Sequence, residues 1–170
     1  MASDMIIRKA MPSEVETLAD IGFVAWERDL MPFLSGQAAN RQFEKRRLSM
    51  EVHNQLDRII VADLSGLAVG WCSRQQGRAY IPYLFVVPDL QNHGIGTLLL
   101  RRMESLLELE GAEKVHLNTL ADNVRAVSFY QHQGYQILAF KQETRNGQDE
   151  TSIRLEKRLA PYHGAITDTD

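Results

Sequence analysis

The sequence predicts a single mixed α/β domain of the α+β type: a mostly antiparallel sheet with a parallel strand pair at its centre, flanked by helices. Two stretches carry that prediction. Between Arg58 and Val87, three short apolar runs are separated by turn-forming pairs, Ser65-Gly66 and Gly77-Arg78, which reads as an antiparallel meander. From Gly94 to Glu110 the apolar period becomes helical (Leu98, Leu99, Met103, Leu106, Leu107), stops at Gly111, and leads into a strand-like run from Lys114 to Leu120. A helical crossover of that length joins parallel neighbours, so the strands before and after it should lie side by side.

The bulk numbers fit one domain. A chain of 170 residues is close to the size prior of about 150 residues per domain. With 44% hydrophobic and 24% charged residues it has ordinary globular composition. A net charge of -3 carries no basic footprint, which excludes a nucleic acid or an anionic membrane surface as the expected partner. Cys72 is the one cysteine and cannot form an internal disulfide. The start MASDMIIRKAM lacks a secretory apolar core, and no apolar run approaches the roughly 20 residues of a membrane helix. A cytoplasmic protein is expected, with one domain over residues 1–160 and a frayed polar tail over 161–170.

The remaining elements follow in order. Met5 to Ala10 reads as a short strand, and Pro12-Ser13-Glu14 as a helix start with Ser13 as cap. Val15, Leu18, Ala19, Phe23 and Trp26 recur at helical spacing to about residue 29. Gln37 to Gln55 suggests a second, surface helix with a thin stripe of Phe43, Leu48, Val52 and Leu56. After the Lys114–Leu120 strand, Asp122-Asn123 caps a short helix that Gly134 ends. Tyr135 to Thr144 and Thr151 to Leu159 then form a hairpin across Asn146-Gly147.

The chemistry concentrates in LFVVPDLQNHGIGT, residues 84–97. Glycines at 94 and 96, between a strand and a helix, let an anion approach the free amides at the positive end of the helix dipole. Such a turn can cradle a pyrophosphate; it can also be a plain strand-to-helix turn. A dinucleotide fingerprint would need a third glycine where Leu99 stands, and no Gly-Lys-Ser/Thr phosphate loop is present.

Val86-Val87-Pro88 followed by Gln91-x-x-Gly94-x-Gly96 resembles the acetyl-CoA signature of the GCN5-related N-acetyltransferase (GNAT) superfamily, Arg/Gln-x-x-Gly-x-Gly/Ala. Asn123-x-x-Ala126-x-x-Phe129-Tyr130-x-x-x-Gly134-Tyr135 is similar to that superfamily's second motif. The resemblance implies a GNAT-like sheet whose central parallel strands splay apart around acetyl-CoA. It places Leu84, Phe85 and Val86 along the pantetheine and acetyl group, and the stretch Gln91, Asn92, His93, Gly94, Ile95, Gly96 and Thr97 at the pyrophosphate. Asn123 would touch the pantetheine arm. Tyr130, two turns further along the same helix face, would be the general acid for the leaving thiolate.

The implied activity is acetyl transfer from acetyl-CoA to a primary amine, on a small molecule or a protein, by direct attack on the thioester. A general base is unassigned: Tyr80 and Asn118 occupy positions where many relatives carry glutamate, and His116 shares a strand face with Asn118. On the acceptor side the resemblance points to Trp26, Asp29, Met31, Phe33 and the region from Tyr135 to Phe140. A homodimer is common in the family, and no interface is legible. His53, His93, His132 and His163 show no ligand-like spacing, so no metal is expected. The alternative function is a non-catalytic acyl-CoA sensor that keeps the cleft without turnover.

Overall fold

Strand β2 (Ile59–Leu64) is the centre of the first sheet, because Ile59-Ile60-Val61-Ala62 is apolar on both faces. A strand covered on both sides reads as a continuous apolar run rather than an alternation. It pairs antiparallel with β1 (Met5–Lys9) on one side and β3 (Leu67–Ser73) on the other, and β4 (Tyr83–Val86) adds to β3. The computed structural model describes residues 4–145 and 147–159. The expected frayed tail at 161–170 and Asn146 of the expected hairpin turn lie outside the described residues.

Alternation sorts the core into two layers. Ile59, Val61 and Trp71 face α1 (Val15–Asp29) and α2 (Arg41–Gln55), packing on Leu18, Ile21 and Val52. Ile60, Ala62 and Cys72 face α3 (Ile95–Leu109), packing on Leu99, Leu100, Met103 and Leu107. Each such large side chain, taken fully out of water, contributes about 1.5–3 kcal/mol. Gly70 lets α3 lie close: a Cβ there would meet the Phe85 carbonyl oxygen at 2.8 Å and Leu99 Cδ1 at 3.2 Å. The β2–β3 turn is the expected Ser65-Gly66 pair, with φ of 52° and 91°, the mirror-image geometry that matches strand twist.

The first helix begins differently from expectation. Ser13 does not cap it; Pro12–Glu14 form a 3-10 turn, and the Glu14 carboxylate accepts from the Met11 amide at 2.8 Å. Arg8 holds that carboxylate and also donates from Nε to Asp63 Oδ2 at 2.8 Å, tying β1, the turn and β2 together. Arg8 keeps the Glu14 and Asp63 carboxyls below their ordinary range. A depressed folded pKa stabilises above the unfolded value and is lost as pH falls through the folded one. Melting temperature should therefore drop as pH falls below about 4, and an Arg8→Met variant, stable enough to melt at pH 7, should show a shallower acid decline.

The second helix also starts later than expected. Gly36–Ala39 form a 3-10 turn, and Asn40 caps α2 by accepting from the Phe43 amide at 2.9 Å. Phe43 is exposed; the buried stripe is Glu44, Leu48 and Val52, a carboxylate standing at the first core-facing position.

The expected strand from Tyr80 to Val87 is regular only over Tyr83–Val86. Its parallel pairing with β5 (Lys114–Leu120) is a single bridge between Tyr80 and His116, in which Ile81 donates to the His116 carbonyl at 3.0 Å and His116 donates to that of Ala79 at 2.9 Å. Pro82 comes next and has no N–H to continue the ladder. From there β4 and β5 diverge. β5 belongs to a second, three-stranded sheet in which β7 (Gln148–Arg158) lies between β5 and β6 (Gln136–Arg145), all antiparallel. The parallel pair is therefore splayed nearly from its start, and the hairpin's second strand, not its first, completes the sheet. Between β5 and β6 runs α4 (Val124–His132).

Candidate active site

Divergence of β4 and β5 leaves a cleft of about 800 Å³ between the two sheets. The direction of the backbone groups on its β4 wall follows from register. Val87 donates to the Val69 carbonyl at 2.9 Å, so the 69/87, 71/85 and 73/83 pairs exchange the bonds between β3 and β4. Antiparallel ladders alternate, which turns the amides and carbonyls of Leu84 and Val86 the other way, toward the cleft. The Val86 carbonyl already accepts from Gln91 Nε2 at 3.2 Å. Leu84, Phe85 and Val86, the residues expected along the pantetheine and acetyl group, all line the cleft.

The start of α3 closes one end. Gly94 is its N-cap in the left-handed region at φ 84°, and the first bond of the helix is donated by Leu98 to the Gly94 carbonyl at 3.0 Å. The amides of Ile95, Gly96 and Thr97 stand ahead of that bond, at the positive end of the dipole. Gln91, Asn92, Gly94, Gly96 and Thr97 line the cleft. His93 and Ile95 do not: His93 is exposed and donates from Nδ1 to the Gln91 carbonyl at 2.8 Å, and the Ile95 side chain is in the core. Those two can serve the cleft only through their backbone.

Asn123, the N-cap of α4, and Tyr130 on α4 both line the cleft as well. Asn123 Oδ1 caps α4 by accepting from the Ala126 amide at 3.2 Å. The ring of Tyr130 is held edge-on between Phe129, at 5.1 Å between centroids, and Tyr135, at 5.6 Å. Burial, with smaller contributions from Cys72 and Tyr80, pushes its phenol well above the ordinary value. Tyr130 is thus a proton-bearing hydroxyl across the neutral range.

Of the residues expected on the acceptor side, Trp26, Asp29 and Phe33 line the cleft; Met31 does not. Tyr135 is buried behind Tyr130, its hydroxyl donating to Glu104 Oε2 at 3.0 Å, and Phe140 is exposed on β6 away from the cleft. Asp29 Oδ2 accepts from Gln91 Nε2 at 2.9 Å, joining the end of α1 to the glycine turn. Asn118 lines the cleft, whereas His116 does not and places Nε2 2.7 Å from Glu156 Oε2 on the neighbouring strand.

Sequence reasoning missed Glu44, Arg47 and Tyr83, which line the same cavity. Arg47 donates to Glu44 from Nε at 2.9 Å and from Nη2, and to the Tyr83 hydroxyl from Nη1 at 2.5 Å. Burial opposes the Arg47 charge, and Glu44 and Tyr83 outweigh it. The legible signal was Glu44 itself, in register with Leu48 and Val52 at i, i+4 and i+8 on a stripe where a carboxylate needs a partner. Among the described residues no group of three or more His, Cys, Asp or Glu could hold a metal ion, and no helix is long and apolar enough to cross a membrane.

The fold recurs in other proteins. A family model described as the acetyltransferase (GNAT) family matches residues 22–135, more than half of the chain. A curated relative, acetyltransferase ECA0875 of Pectobacterium atrosepticum, is 30% identical over 93 residues, which are 52% of this chain and 64% of that one. In the curated relatives it matches, the shared stretch spans less than two-thirds of their length. Among solved structures, a GCN5-related N-acetyltransferase from Rhodopseudomonas palustris superposes with a TM-score of 0.75 at 22% identity, covering 94% of this chain and 99% of that one. The PaiA N-acetyltransferase of Thermoplasma acidophilum, solved in complex with coenzyme A, gives a TM-score of 0.73 at 20% identity, covering 91% and 99%. Match, topology and the splayed strand pair agree: this chain belongs to the acetyltransferase (GNAT) family.

Proposed function

We propose that this protein is an acetyl-CoA-dependent N-acetyltransferase acting on a primary amine. The observation that carries the reading is the broken ladder after Ile81. It leaves the Leu84 and Val86 backbone facing a cleft with the amides of α3 at one end and Tyr130 also lining it. In this reading the pantetheine arm hydrogen-bonds along Leu84 and Val86 as an added strand would. Amides from Asn92 to Thr97 hold the pyrophosphate, and Asn123 touches the arm.

The amine attacks the thioester carbonyl, and the Val86 N–H stabilises the oxyanion that forms. The C–S bond then breaks with the Tyr130 hydroxyl hydrogen-bonded to the departing sulfur. The proton that the attacking nitrogen still has to shed leaves to water, so that the products are the amide and a CoA thiolate that is protonated from Tyr130 or solvent. A thiol has an ordinary pKa of about 8.5, below that of a phenol, so a hydrogen bond as the C–S bond lengthens serves better than early proton transfer. An ammonium of pKa about 10.4 must first lose its proton, at a cost of about 4.6 kcal/mol at pH 7. Asp29, which lines the cleft and accepts from Gln91 of the glycine turn through Oδ2, is a carboxylate that can help receive it by way of water.

The test is release of free CoA thiol from acetyl-CoA in the presence of polyamines, aminoglycosides, amino acids and lysine peptides. Amine-dependent release supports the enzyme; saturable acetyl-CoA binding without release by any amine supports instead the sensor reading, which the non-basic Tyr80 and Asn118 favour. A separate prediction concerns the cradle. A Cβ on Gly96 would make ordinary contact with Phe129 Cζ at 3.5 Å, so the fold tolerates a side chain, but a longer one projects into the cleft. Gly96→Leu should keep its melting temperature within a few degrees and weaken acetyl-CoA binding at least tenfold by calorimetry, an expectation of about 1.4 kcal/mol.

A further inference from the structure

The α2 side of the cleft carries a cationic group whose orientation is fixed by its neighbours. Glu44 and Arg47 are one turn apart on α2, and both line the cavity. An ordinary surface ion pair would leave both partners in water, but here the Glu44 side chain is 7% exposed and that of Arg47 is 34% exposed. Of the two, Arg47 is the more accessible from the cleft, and the Glu44 side chain paired with it is nearly out of water.

Arg47 also has donors to spare. A guanidinium carries five N–H groups. Nε and Nη2 each give one to Glu44, and Nη1 gives one to the Tyr83 hydroxyl, with the guanidinium carbon 5.6 Å from the Tyr83 ring centroid. One N–H remains on each terminal nitrogen. A pair of donors on a planar cation matches the two oxygens of a carboxylate. Glu44 and Tyr83 hold that plane still, which lowers the ordering cost of binding.

We infer that Arg47 selects acceptor amines that carry a carboxylate, gripping it through its terminal N–H groups while Glu44 and Tyr83 position the guanidinium. Asp29, elsewhere on the same cavity wall, faces the opposite charge of such a zwitterion. The inference rests on the acetyltransferase reading and names the acceptor class for it.

The experiment compares kcat/KM at saturating acetyl-CoA for amino acids and their amides, glycine with glycinamide and β-alanine with β-alaninamide, with putrescine as a cationic reference. Wild type should prefer each acid over its amide by at least about tenfold, the scale of a charge-assisted pair. That ratio should collapse toward one in Arg47→Lys, which lacks the planar fork. It should also collapse in the double variant Glu44→Gln with Arg47→Gln, which leaves no buried charge unpaired should the single change destabilise the helix. Preference for amides or putrescine in wild type, or an unchanged ratio in both variants, overturns the inference.

If acetyl-CoA binds but no amine releases thiol, the enzyme reading fails, and the Arg47 inference is then decided by calorimetry of N-acetylglycine and N-acetylglycinamide on the CoA complex. Selective binding of the acid that both variants lose supports it; equal binding overturns it. Failure to bind acetyl-CoA, measured in a separate titration, removes both.

Discussion

Tyr130→Phe should lower kcat for acetyl transfer by about 10²-fold while leaving the KM for acetyl-CoA within a few-fold of wild type. The substitution deletes one hydroxyl and keeps the ring that Phe129 and Tyr135 hold at 5.1 and 5.6 Å, so the wall of the cleft stays in place. What is lost is a donor that matters only as negative charge gathers on sulfur, and an interaction made only in the transition state appears in kcat. The pH profile gives a second readout. Burial holds the phenol above its ordinary value. A group that works in its protonated form and has a raised pKa keeps working until pH exceeds that raised value. Wild-type kcat should therefore show no alkaline decline traceable to Tyr130 below about pH 10. An unchanged kcat in Tyr130→Phe would remove the tyrosine from the chemistry.

Trp71→Ala should cost about 3–5 kcal/mol of folding stability, read as the midpoint of urea unfolding. Trp71 is 1% exposed in the layer between β3 and α1, and its Nε1 donates to the Leu18 carbonyl at 2.8 Å. The helix approaches it so closely that a Cβ on Gly22 would lie 3.2 Å from Trp71 Cζ2. Truncation opens a cavity that backbone on both sides cannot collapse into, and it strips the neighbours of Tyr83 and Phe85, whose rings lie 5.9 and 5.2 Å away. For a chain of this size the melting temperature should fall by about 6–20 °C. Trp71→Phe keeps most of the packing and loses the donor, leaving the Leu18 carbonyl unpaired by a side chain. Its cost should be about 1–3 kcal/mol. Equal losses in the two variants would mean that the hydrogen bond, not the volume, dominates at this position.

What the sequence determined by itself is local. The Lys114–Leu120 strand, the helix ending at Gly111 and the cap at Asn123 are visible because spacing, glycine and a side-chain acceptor act over one or two turns. The glycine turn and the Asn123–Tyr130 spacing were legible for the same reason. Even local reading failed where a distant group won: Ser13 lost the first helix start to Glu14, which Arg8 of the preceding strand holds in place.

Only the tertiary structure decided where the strands part. Pro82 signals a disturbed ladder, but its consequence depends on β5 arriving from beyond α3 and on β7 inserting between β5 and β6, pairings separated by tens of residues. The Glu44–Arg47–Tyr83 cluster is likewise an event of packing. An i, i+3 ion pair on a polar helix looks like surface until folding brings Arg47 to the Tyr83 hydroxyl on β4, takes the Glu44 side chain nearly out of water and leaves Arg47 partly exposed where it lines the cleft. Short-range sterics and hydrogen bonding write elements into a sequence; which of their faces meet, and hence which charges share a cavity, is settled by long-range burial that no local window contains.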